Sequence, residues 1–171
     1  MSASRGWRGG LLLLLLMQSA SCGFALRSWD IGDAYESIAL VGARNDAMVV
    51  QLRQALAQTG VPLRGTAADA ALIVEVLDAR DELRAASISG GARTAEYELS
   101  LGLRYAIKTA DGGYLARPAW ASARRIYRID RGNLVGSSEE QALLRRELSA
   151  DLVQQVMRAV SAVTRNAAPT S

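Results

Sequence analysis

From residue 95 to residue 108 apolar and polar positions alternate. Tyr97, Leu99, Leu101, Leu103, Tyr105 and Ile107 are apolar, and the even positions are mainly polar, among them Glu96, Glu98, Ser100, Arg104 and Lys108. A period of two held over that length predicts an antiparallel strand with one face in a core and the other accessible. Asp111-Gly112-Gly113 supplies the positive-φ residues of a hairpin turn. A long return strand is expected from about Tyr114 to Asp130, with Pro118 pushing that part toward an edge or bulge. Upstream, Ala71 to Leu77 is apolar and β-branched and reads as a buried strand, continuing with a weaker pattern to Ile88. Gly90-Gly91 marks a turn or bulge, and Tyr35 to Val41 is a further short strand.

Two stretches follow the helical period instead. From Asp46, Val49, Leu52 and Leu56 share one face, Asn45 can cap the start, and Gly60 followed by Pro62 ends the helix. After a loop expected from Arg131 to Ser138, Leu144, Leu148, Leu152, Val156 and Val160 recur every four residues, joined by Val153 and Val163. Ser137 and Glu140 fit a capping box at its start. That stripe is apolar enough to lie on a sheet. The fold class expected is α+β, a two-layer sandwich with two helices packed on one face of a roughly four-stranded, largely antiparallel sheet. The 171 residues suit one domain. It is expected over residues 35–165, with a tether over 22–34 and a disordered tail over 166–171.

The first 21 residues belong to a different pattern. Arg5 and Arg8 form a positive region, Leu11 to Met17 an apolar run, and Ser19, Ala20 and Ser21 lead to Cys22. This is the layout of a secretory signal peptide, and the apolar run is far short of the roughly 20 residues that span a bilayer. The end is similar to a bacterial lipobox, with Ser19 where an aliphatic residue is usual. Cys22, the single cysteine, is thereby expected to carry lipids, and two or more acyl chains hold a protein on a membrane stably. An ordinary signal peptide ending in an incidental cysteine is the competing reading. Gly23 in place of an aspartate resembles lipoproteins destined for the outer membrane.

Charge and chemistry narrow the function further. Of 20 basic residues Arg5 and Arg8 lie in the leader, which leaves 18 against 17 acidic ones, so no general attraction to nucleic acid is expected. With no His there is no Ser-His-Asp triad and no imidazole metal ligand, and Gly90-Gly91 lacks the rest of a phosphate loop. No metal, cofactor or catalytic group is expected. Glu96 and Glu98 share a strand face, where charges serving solubility are the plainer reading than a hydrolase pair.

Arginine gathers between Arg117 and Arg131. On an extended strand Arg124 and Arg128 share a face, and Arg125 falls on the other with Tyr127 and Ile129. Pairing with Glu96 and Glu98 across the strands is one reading. The other is a patch that grips phosphate or carboxylate groups with the planar guanidinium, to which Arg93 beside the glycine turn could add.

Two segments resemble one family. Cys22-Gly23-Phe24-Ala25-Leu26-Arg27 is similar to the mature start of the LPS-assembly lipoproteins, the LptE family, and Arg93-Thr94-Ala95-Glu96-Tyr97 resembles that family's Thr-Ala-Glu-Tyr segment opening a long strand. The order of elements and the amphipathic last helix resemble it too, so the likeness spans nearly all of residues 22–165. The resemblance implies an outer-membrane lipoprotein that plugs the LptD β-barrel, helps it assemble, and takes part in carrying lipopolysaccharide to the outer leaflet. Lipopolysaccharide contacts would then fall on basic residues of loops at the domain tip, where Arg93 is the candidate, and Arg124 and Arg128 of the strand patch are the further candidates for lipopolysaccharide or the barrel lumen. An auxiliary lipoprotein of an ABC-type lipid transport system is the alternative, since its members resemble this leader and small α+β domain. An envelope hydrolase relying on Glu96 or Glu98 is the third.

Overall fold

The computed structural model describes Ile31 and residues 34–43, 46–87, 94–130 and 134–167. Its elements in chain order are β1 (Ile38–Val41), α1 (Ala47–Ala57), β2 (Leu63–Arg64), a single 3-10 turn (Ala67–Asp69), β3 (Leu72–Ser87), β4 (Thr94–Thr109), β5 (Tyr114–Asp130) and α2 (Leu134–Ala167). The sheet runs β2-β1-β3-β4-β5. β1 lies parallel to β2 and β3, and β3, β4 and β5 form an antiparallel meander. Two helices on a mostly antiparallel sheet is the expected α+β class. The sheet has five strands instead of about four, because β2 is two residues long and too short to show a period.

The core lies between the sheet and the helices. Val49, Leu52 and Leu56 of α1 and Leu148, Leu152, Val156, Met157 and Val160 of α2 are buried against Ile38, Leu72, Val74, Leu99, Leu103 and Ile107. Each fully buried side chain of this size contributes about 1.5–3 kcal/mol over its exposed state. Ile31 is also buried in this core at 0% exposure, so the domain reaches into the segment expected to be tether. Pro62 and Gly60 (φ +80°) end the α1 unit as expected.

Three boundaries differ from the sequence reading. Asp46 caps α1, its carboxylate accepting from the N–H groups of Met48 (2.8 Å) and Val49 (3.3 Å), while Asn45 lies outside the described residues. The second helix starts at Leu134 and not at Ser137, so the loop expected to run to Ser138 stops earlier. Ser137 is buried within the first turn. At its other end α2 runs to Ala167, two residues into the expected tail. β3 continues through Asp78-Ala79-Arg80-Asp81-Glu82-Leu83-Arg84 after a bulge between Val76 and Asp78. Its charged half shows no apolar period because Asp81, Leu83 and Ala85 are solvent-accessible on the helix side as well.

The β4–β5 turn is built as its residues dictate. Gly112 takes φ +86°, Thr109 N–H donates to the Gly113 carbonyl (2.9 Å), and Gly112 N–H donates to the Thr109 carbonyl (3.0 Å). The Thr109 hydroxyl donates to the Asp111 carboxylate. The leader, Cys22 and the Gly90-Gly91 turn lie outside the described residues.

Candidate functional site: the open face of the sheet

The helices cover one face of β3, β4 and β5 and leave the other open. Alternation decides what stands there: Asp78, Arg80, Glu82 and Arg84 from β3; Glu96, Glu98, Ser100, Gly102, Arg104 and Lys108 from β4; Trp120, Ser122, Arg124, Ile126 and Arg128 from β5. Most of these charges are matched nearby. Arg128 Nε lies 3.1 Å from Glu96 Oε1, Arg84 Nη2 lies 2.5 Å from Glu82 Oε2, and Arg80 Nε lies 3.4 Å from Asp78 Oδ2. Lys108 Nζ is 2.6 Å from Glu75 Oε2, and that hydrogen bond holds the ammonium above its ordinary pKa. Such accessible pairs contribute little stability each.

A tryptophan organises the middle of the face. Trp120 lies across the strand onto Gly102, where a Cβ would stand 3.2 Å from Trp120 Cζ3. A side chain here would press on the ring, which would have to shift by a few tenths of an ångström to admit it. Arg80 comes from the far strand and places its guanidinium carbon 4.2 Å from the ring centroid. Around them Glu82, Arg84, Ser100 and Ser122 line a shallow depression of about 330 Å³. The sequence signal for this group was slight: a single glycine inside the best strand, and a tryptophan on the polar parity of its neighbour.

The arginines expected to act together are separated by environment. Arg124 and Arg128 share the open face as expected, two register steps apart opposite Ser100 and Glu96. Arg128 is held by Glu96, whereas the Arg124 guanidinium has no carboxylate partner among the described residues. Arg125 is on the helix side, 3.8 Å from Asp151 of α2. Arg93 and Cys22 lie outside the described residues. On the helix side, Arg145 Nε donates to Asp81 Oδ2 (2.8 Å), a tie between α2 and β3 that the sequence did not signal.

Among the described residues no three acidic, His or Cys side chains are grouped so as to hold a metal, and no helix is long and apolar enough to cross a membrane. The arrangement offers hydrogen-bond donors, guanidinium groups and an aromatic surface: chemistry for holding a partner.

Fold and face together define a small two-layer α+β domain with one sheet face open. The family described as LptE, lipopolysaccharide-assembly, matches residues 35–160, and the chain belongs to that family. Its members are non-catalytic, in agreement with the reading of the missing groups.

Solved structures share the architecture. A minor lipoprotein from Acinetobacter baumannii is 26% identical, with a TM-score of 0.60 over 75% of this chain and 92% of that one. Lipoprotein B from Nitrosomonas europaea is 23% identical, with a TM-score of 0.69 over 84% and 93%. Rare lipoprotein B from Shewanella oneidensis is 19% identical, with a TM-score of 0.65 over 76% and 97%. No curated protein matches the chain.

Proposed function

We propose that this chain is an outer-membrane lipoprotein, lipidated at Cys22, that plugs and helps assemble the LptD β-barrel and takes part in moving lipopolysaccharide to the outer leaflet. Membership of the lipopolysaccharide-assembly family carries the reading. The leader ending at Cys22 supports the anchor, and the similar structures include proteins that are themselves named lipoproteins. The open face supports the plug: the lumen of a large barrel is polar, so a domain seated there needs a hydrogen-bonding exterior. Arg124, with no acidic partner among the described residues, and Arg128 beside it are the side chains proposed to meet phosphate or carboxylate groups of lipopolysaccharide or the barrel lumen, together with Arg93.

The reading is tested by extracting the native protein in detergent and identifying what accompanies it. A large β-barrel should co-purify, and mass spectrometry should find a mature N-terminus at an acylated Cys22. A monomer without a barrel partner, or an unacylated chain, refutes it. An ATPase and permease in place of the barrel would identify the ABC-type transport alternative.

A further inference from the structure

β5 ends the sheet order, so its outer edge pairs with no strand among the described residues. From Ala119 to Asp130 its register with β4 is unbroken, so successive backbone groups point alternately inward and outward. Two contacts identify which point outward. Gln155 Nε2 of α2 donates to the Ser122 carbonyl (3.1 Å), and Arg125 Nη1 donates to the Arg124 carbonyl (3.3 Å). The even-numbered residues therefore direct their N–H and C=O groups to the free edge. Pro118, at the bulge that precedes this stretch, has no N–H to offer. From 118 to 124 the edge is blunted by a proline and two side chains, as proteins do to prevent unwanted strand pairing.

The blunting stops at Ile126. Among the described residues no side chain takes up the outward groups of Ile126 or Arg128. Ile126 is 63% exposed, more than any other large hydrophobic residue of the sheet. It stands on the open face between Arg124 and Arg128, with Arg125 on the opposite face. An open trough of about 870 Å³ adjoins this stretch, with Glu98, Arg124, Arg125, Asp151 and Gln155 in its walls.

We propose that the edge at Ile126–Arg128 accepts an extended acidic strand from a partner protein. The partner's backbone would pair with the outward groups of Ile126 and Arg128, an apolar side chain would cover Ile126, and carboxylates would meet Arg124 and Arg125. Charge argues against a second copy of this chain as the occupant. Two β5 edges paired antiparallel about Ile126 set Arg124 of each against Arg128 of the other, and like charges directly opposite are destabilising. The edge belongs to β5 itself and does not depend on the barrel reading above.

The test uses the full chain in detergent and a capped octapeptide with one valine flanked on each side by two glutamates, so that valine can cover Ile126 while glutamates on the same face meet Arg124. The octapeptide carrying lysine for glutamate is the reference. Amide exchange followed by NMR should slow at least tenfold at Ile126 and Arg128 with the glutamate peptide and stay unchanged with the lysine peptide. Ile126→Pro removes one outward N–H and should abolish the protection at Arg128, while Ile126→Ala keeps it. Arg124→Glu leaves the backbone edge intact and should weaken peptide binding at least tenfold. Equal protection by both peptides, no protection by the glutamate peptide, or protection that survives Ile126→Pro overturns the proposal. Protection of these amides by lipopolysaccharide micelles and not by the glutamate peptide also overturns it, assigning the edge to a lipid.

Discussion

Arg80 and Trp120 meet across a strand to which neither belongs: the guanidinium carbon of β3 lies 4.2 Å from the ring centroid of β5, above Gly102 of β4. The three side-chain positions form one bridge over the open face, and the absence of a Cβ at the middle position makes room for it. Cation–π contacts at accessible sites contribute about 0.5–1 kcal/mol.

The bridge predicts non-additive mutations. Gly102→Ala puts a methyl group 3.2 Å from Trp120 Cζ3 and should cost about 1 kcal/mol through displacement of the ring. Trp120→Ala should cost a similar amount. The double variant should be no less stable than Trp120→Ala alone, because the clash needs the ring. Urea unfolding of the four proteins measures the coupling, and simple additivity would show that the ring does not rest on Gly102.

A buried hydroxyl offers a gain in stability. Ser149 of α2 is 5% exposed, and its Oγ has no hydrogen-bond partner among the described residues. An unsatisfied buried polar group costs about 1–3 kcal/mol. Ser149→Ala should therefore raise stability by about 1 kcal/mol, seen as an increase of a few degrees in Tm. A decrease would mean that the hydroxyl is satisfied in solution.

The hairpin turn predicts a pH dependence. The Thr109 hydroxyl, then the Gly113 backbone, hold the Asp111 carboxyl below its ordinary pKa. A carboxyl depressed in the folded state contributes stability above its unfolded pKa, near 3.9, and loses it as pH falls through the lower folded value. Asp111→Asn should therefore lower Tm at neutral pH, and the difference from the wild type should close as pH falls below about 4. A gap that persists at pH 2 would refute the role of the ionised carboxylate.

For the arginines, charge reversal separates binding from structure. Arg124→Glu removes a guanidinium without an acidic partner among the described residues, so thermal stability should change by less than about 0.5 kcal/mol. Binding to lipopolysaccharide or to the barrel should fall several-fold. Arg128→Glu faces Glu96, its ion-pair partner at 3.1 Å, and should lower both binding and stability. Calorimetry alongside a binding assay checks this; a loss confined to stability would make both residues structural.

The sequence displayed the fold wherever one face of an element is wet and the other dry. β4 and the second half of α2 have that contrast, and both were legible residue by residue. The distal half of β3 was not, since Asp81, Leu83 and Ala85 are accessible on the side nominally facing the helices. The early start of α2 was hidden because Ser137 and Glu140 have the spacing of a cap yet lie inside the helix. Of the candidate site, the shared face of Arg124 and Arg128 followed from alternation. The difference between a paired and an unpaired arginine did not, because it depends on which strand lies opposite. The Arg80–Gly102–Trp120 bridge required the register of three strands, which no local pattern contains.

Ile31 is locked into the hydrophobic core only nine positions after Cys22. Nine residues reach at most about 30 Å when fully stretched. If acyl chains fasten Cys22 to a bilayer, the folded body is leashed to a shallow zone beneath the headgroups, too short a range to visit the opposite membrane. Whatever it serves must come to that zone, and the search for a partner becomes nearly two-dimensional.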